Sequence, residues 1–197
     1  MNYRAAKKYV LQLLDMELSD TLTYHGKHHT LDVLNITTEL CVAENISPKD
    51  TLLLKTAALF HDCGFTETFK DHEAKGCEIV REVLPKFNYS KKDIEKICGM
   101  IMATKIPQSP NTHLEEIICD ADLDYLGRDD FYEIGGTLYE EFLLQNIVQD
   151  EQSWNRLQVQ FIGNHQYFTK TTIKRRESKK QQHLDELKVV VGEYERI

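Results

Sequence analysis

Helical periodicity constrains this chain before anything else does. Apolar residues recur at three- and four-residue spacing through residues 3–18, where Tyr9, Val10, Leu13, Leu14 and Leu18 form the stripe of an amphipathic helix. Ser19-Asp20-Thr21 breaks that run, and a second helix is read over residues 31–42 through Leu31, Leu34, Ile36, Leu40 and Val42. Ser47-Pro48-Lys49-Asp50 opens a third, with Ser47 as cap, Pro48 at the first helical position and Asp50 in the favourable first turn. It runs to about His61. A fourth covers roughly residues 71–84 and stops at Pro85. Ser90-Lys91-Lys92-Asp93 resembles a capping box and starts a fifth, through Ile94, Ile97, Met100 and Ile101. Pro107 and Pro110 mark a loop; helices then follow over residues 114–126 and 131–148 and near Trp154. Prolines number only four, and strand signals are few, so the expected fold class is all-α. With no linker, repeat or low-complexity segment, one domain is expected over residues 1–197.

Hydrophobic residues at 41% and charged residues at 28% fit a soluble globular chain long enough for a substantial core. The net charge of −8 argues against duplex nucleic acid, which needs a basic face, but leaves room for a small anionic substrate held by local cations. Cys41, Cys63, Cys77, Cys98 and Cys119 are odd in number and never form C-x-x-C, so neither a disulfide framework nor a zinc finger is expected. Reduced thiols, no apolar signal segment at the first residues and no membrane-length apolar run lead to a cytoplasmic expectation. Residues 169–197 should form a long charged C-terminal helix. Its Lys170, Lys174, Arg175, Arg176, Lys179 and Lys180 read as a solvated face, with phosphate steering as the alternative.

Chemistry gathers at Leu59-Phe60-His61-Asp62-Cys63-Gly64. Neighbouring residues on a helix do not share a face, but a helix end relaxes that limit. Gly64 is expected to take a left-handed cap conformation that lets His61 and Asp62 converge on one point, as ligands of a divalent cation do. The plain alternative is a helix-end histidine beside a solvated aspartate. Upstream, Tyr24-His25-Gly26-Lys27-His28-His29 holds three histidines in five residues; His25 and His29 share a face if the segment is helical. Downstream, Asp120, Asp122 and Asp124 follow the apolar pair Ile117-Ile118, and carboxylates after a buried run need pairing, solvent or metal. His72-Glu73, followed by Gly76, is a further candidate, or an exposed helix start.

Taken in order, these motifs resemble the HD superfamily of metal-dependent phosphohydrolases over about residues 22–127, with C-terminal helices from 129 to 197. Tyr24-His25 with His29 is similar to the opening motif of cyclic-nucleotide phosphodiesterases within that superfamily. The resemblance implies an all-α core with His29, His61, Asp62 and Asp122 as metal ligands. Asp122 is preferred because the family sets its last ligand in an Ala-Asp-x-Leu-like context; Ala121-Asp122-Leu123 is one residue short of it, so Asp120 stays open. Two-metal members add histidines on the helix that here reads Gly99-Met100-Ile101-Met102-Ala103-Thr104-Lys105. Their absence favours one ion (Mn, Mg, Fe, Zn, Co or Ni), with His72 as the route to a second.

Such a centre acidifies a bound water and polarises a phosphoryl oxygen. Asp62 is then assigned as proton acceptor and His25 as proton donor to the leaving oxygen. Lys27, His28 and Lys105 are assigned to bind the phosphate. The expected activity is hydrolysis of a phosphomonoester or phosphodiester of a nucleotide or related small phosphate, with a homodimer as the assembly held open. The rivals are a nucleotide-sensing domain that keeps the metal pocket and a diiron oxygenase of the same scaffold.

Overall fold

The computed structural model describes residues 1–194; the end of the charged stretch, residues 195–197, lies outside them. Its regular elements are α1 (Tyr3–Glu17), α2 (Lys27–Ala43), α3 (Pro48–Phe60), α4 (His72–Val83), α5 (Lys91–Ala103), α6 (His113–Asp122), α7 (Phe131–Leu144), α8 (Glu151–Asn164) and α9 (Lys170–Tyr194). Short 3-10 turns occupy Cys63–Thr66, Leu84–Phe87 and Asp124–Gly127. The described residues contain no strand, so the fold is all-α.

The local chemistry explains most boundaries. Ser47 Oγ accepts from the Asp50 amide at 3.1 Å and Ser90 Oγ from the Asp93 amide at 3.2 Å, so both predicted caps form. The second helix begins earlier than expected, at Lys27, with Gly26 as its N-cap. The helix read over 114–126 instead ends at Asp122, and a 3-10 turn over Asp124–Gly127 follows. The helix read to Val148 ends at Leu144, and Asn146 then turns the chain with φ 57°.

The chain forms two compact units. One comprises Met1–Asp20 and His25–Asp122 and holds α1 to α6. Its core is built on α3, which packs against α1, α2, α5 and α6. Leu53, Leu54, Phe60, Ile97, Ile101 and Ile117 are fully enclosed there. Side chains of this size each stabilise by roughly 1.5–3 kcal/mol when buried. The other unit comprises Thr21–Tyr24 and the chain from Leu123 onward. Tyr24, Leu126, Phe131, Ile162 and Leu184 form its core.

Within that second unit α9 departs from a simple solvated face. Lys180 is only 3% exposed. Its ammonium donates to the His165 carbonyl at 2.9 Å, pairs with Glu177 at 2.9 Å and lies over the Tyr167 ring. Arg176 donates to Asp124 at 2.8 Å and Lys179 pairs with Asp129 at 3.1 Å. Lys170, Lys174 and Arg175 are exposed. All five cysteines are buried free thiols.

Candidate metal centre

The first unit brings together three helix ends. His29 lies in the first turn of α2, His61 caps the C-terminus of α3, and Asp122 is the last residue of α6. Asp62 follows His61 at φ −104° and ψ 4°, where the α-helix passes into the 3-10 turn Cys63–Thr66. That change of helix type turns both neighbouring side chains to one point. The left-handed Gly64 expected to do this is absent, since no glycine has positive φ. Gly64 serves closeness instead. A Cβ at this position would overlap the His72 carbonyl and lie 2.8 Å from the Gly76 amide nitrogen, so only glycine lets the 3-10 turn rest on α4.

Three donor atoms, from His29, His61 and Asp122, face each other within 4.8 Å, and Asp62 lies against the imidazoles. His29 Nε2 is 3.3 Å from His61 Nε2 and 3.2 Å from Asp122 Oδ1. His61 Nε2 is 3.4 Å from Asp122 Oδ1 and 3.0 Å from Asp62 Oδ2. Asp62 Oδ2 is also 3.5 Å from His29 Nε2. Adjacent ligand atoms around a cation at about 2.1 Å would be separated by roughly 3.0 Å in an octahedron and 3.4 Å in a tetrahedron. The separations among His29, His61 and Asp122 therefore match a coordination shell, and Asp62 stands beside the two imidazoles.

Hydrogen bonding agrees. His61 Nδ1 lies 2.9 Å from the Ala58 carbonyl, which only accepts, so Nδ1–H donates and neutral His61 turns the Nε2 lone pair inward. Asp62 Oδ2 is buried, faces the two imidazoles and makes no aligned hydrogen bond among the described residues. Lone pairs converging in a buried site call for positive charge. The pKa shifts point the same way. Burial opposes the charged form of His61, yet Asp62 and Asp122 hold its pKa well above the ordinary value. Burial likewise opposes ionised Asp62 and Asp122, yet the imidazoles hold Asp62 well below the usual carboxylate range and bring Asp122 to about 2. A divalent cation supplies the charge that a proton on His61 would otherwise provide. These residues fit a metal ion.

Around the centre, Asp62 turns its second oxygen, Oδ1, to His72 Nε2 at 3.4 Å. Burial disfavours charged His72, but the Asp62 carboxylate raises its pKa. Glu73 is buried beside it, with Oε1 3.6 Å from His72 Nε2. The side chains of His72 and Asp122 are 18% and 13% exposed while those of His29, His61 and Asp62 are 7% or less, so the centre opens on the His72–Asp122 side.

The remaining candidates divide. His25 precedes α2 rather than lying on it, so it does not share a helix face with His29. Its ring nevertheless comes 5.9 Å from that of His29, packing on Phe65 at 4.5 Å. His28 is exposed, and Lys27 pairs with Asp15 of α1. Lys105 pairs with Asp71, the residue before His72. Asp120 is fully buried, but the oxygen that meets the imidazoles belongs to Asp122. Sequence reasoning missed Phe65, which stacks on His72 at 3.8 Å; an aromatic three residues after Asp62 was the available signal.

Comparison with known proteins follows the same lines. The sequence model of the HD domain family matches residues 26–124. Among solved structures, the chain is similar to a predicted HD superfamily hydrolase from an uncultured Thermotogales bacterium, with TM-score 0.63 and 18% identity over 97% of this chain and 92% of that one. At that identity the likeness speaks for the fold. No curated protein matches the sequence significantly.

Proposed function

Because this chain belongs to the HD domain family, we propose that it is a metal-dependent phosphohydrolase acting on a small phosphoester, most simply a nucleotide. The observation that carries this reading is the cluster of donors from His29, His61 and Asp122, with Asp62 against both imidazoles.

When bound, a divalent cation polarises a phosphoryl oxygen and makes water acidic enough to attack near neutral pH. The chain's own residues do the rest. Ala58 fixes the His61 ring through Nδ1, and the approach of α4 over Gly64 sets His72 against Asp62. Asp62 takes the proton of the attacking water, and the His72 imidazole stabilises the carboxylate until it does. His25, partly exposed and close to His29, is placed to give a proton to the departing oxygen. Lys105 is the cation best sited for the phosphate, since its partner Asp71 adjoins His72; an arriving phosphate would compete with Asp71 for it. Lys27 is drawn toward Asp15 and His28 toward solvent, which weakens both assignments. With no histidine on α5, a second ion would rest on His72 and carboxylates, and one ion is the simpler reading.

The test is a phosphatase and phosphodiesterase screen on chelator-stripped protein, with metals added back singly. Activity should return with a transition metal and disappear in Asp62→Ala at unchanged helical circular dichroism. Undiminished turnover by Asp62→Ala, or turnover that persists in chelator, would refute the reading.

A further inference from the structure

Helices α4 and α5 bring two buried thiols face to face. Cys77 Sγ lies 3.5 Å from the Cys98 carbonyl oxygen and Cys98 Sγ 3.8 Å from that of Cys77, and the two thiols share a hydrogen bond. The contact is reciprocal, so the backbones adjoin as well as the sulfurs. Cys63 stands nearby but turns to the Gly76 carbonyl at 3.9 Å, and Cys119 turns to that of Ala103 at 3.2 Å. Arg81, one turn beyond Cys77 on α4, donates at 3.1 and 2.9 Å to Glu95, one turn before Cys98 on α5. Both side chains are half exposed, and with Pro85, Tyr89 and Ile94 they line a surface hollow of about 390 Å³. The thiol pair thus lies one helical turn from a solvent-facing ion pair and a space large enough for a small oxidant. A buried cysteine is ordinarily an inert packing residue. This pair is asymmetric. The hydrogen bond with Cys77 lowers the pKa of Cys98; burial opposes that shift and the Arg81 guanidinium adds to it. The same hydrogen bond, with burial, raises the pKa of Cys77.

We propose that Cys77 and Cys98 form a redox-modification site, a dithiol that hydrogen peroxide converts into a disulfide joining α4 to α5. The Cys98 thiolate attacks one peroxide oxygen and the O–O bond breaks. The departing oxygen leaves with a proton as water, and Cys98 becomes a sulfenic acid. The Cys77 sulfur then attacks the Cys98 sulfur. An S–S bond forms, the S–O bond breaks, and the released hydroxide takes the Cys77 proton as a second water. Two thiols give up two electrons, and one peroxide is reduced to two waters. The bond would pin the middle of α4, five residues after His72. This chemistry needs neither the metal ion nor a phosphoester.

The experiment treats the folded full chain with hydrogen peroxide, counts the remaining thiols in denaturant and maps cross-linked peptides by mass spectrometry. Thiols should fall from five to three, with one cross-link joining residues 77 and 98, and dithiothreitol should restore all five. Cys77→Ser should leave Cys98 as a sulfenic acid that dimedone labels. Cys98→Ser should be labelled at Cys77 roughly tenfold more slowly, because that thiol ionises less readily. Five thiols surviving a peroxide excess that oxidises glutathione in the same tube would overturn the proposal. A cross-link made through Cys63 instead would overturn it too. Should either serine variant fail to fold, the wild-type thiol count and cross-link map decide between these outcomes.

Discussion

His25 is the residue whose role is least determined by its neighbours. It stands two residues ahead of α2, partly exposed, with its ring against Phe65 and close to His29. A general acid contributes roughly a hundred- to ten-thousand-fold to rate, and only where the leaving oxygen needs a proton. His25→Ala should therefore depress hydrolysis of alkyl phosphates by that order and spare p-nitrophenyl phosphate, at constant metal content. Equal losses on both substrates, with a lower melting temperature, would mark His25 as packing alone. The residues that meet at the candidate centre were legible because each carries unusual chemistry for its place: a His-Asp pair closing an apolar helix, a histidine cluster, and aspartates after a buried run. Asp122 could be preferred to Asp120 only by resemblance, since each follows the same apolar stretch; in the fold it is Asp122, at the end of α6, that meets the imidazoles. Lys180 was illegible for the opposite reason. A lysine within a charged run reads as solvated, and only the fold supplies the His165 carbonyl, Glu177 and Tyr167 that enclose it.

At the level of elements, caps were the most readable signals because they depend on three or four consecutive residues. Ser47 and Ser90 act as expected. Close approaches are set by chain far away, and Gly64 shows the difference. Its glycine-only character comes from the His72 carbonyl and the Gly76 amide, which no local pattern reveals. Gly64→Ala should cost about 3 kcal/mol, the upper end for overpacking in a tight core, and should reduce activity beyond what stability explains, because the 3-10 turn carries Asp62 and α4 carries His72. Gly76→Ala provides the contrast. Its added Cβ would lie 3.4 Å from the Phe60 carbonyl, a marginal contact, so denaturant unfolding should show a clearly smaller loss. Equal stability losses at the two glycines would contradict this packing.

Across the whole molecule, an acidic chain keeps a polar centre of two imidazoles and two carboxylates nearly sealed from water, drawn from the ends of three helices. Those ends lie far apart in sequence, so a cation held by them staples α2, α3 and α6 in the folded state only. Binding should raise the melting temperature by several degrees once the metal exceeds its Kd a hundredfold, as ligand linkage of about 2.7 kcal/mol requires. The all-α class was readable because helical periodicity repeats along the chain, while its division into two compact units was not, since that depends on Thr21–Tyr24 joining the chain from Leu123 onward. The most direct test of the centre is isothermal titration of chelator-stripped protein with Mn²⁺. One cation should bind per chain in the wild type, and binding should be lost in His61→Ala and in Asp122→Ala variants of native helical content. Wild-type protein that takes up no cation, or variants that bind as it does, would contradict a metal centre at His29, His61, Asp62 and Asp122.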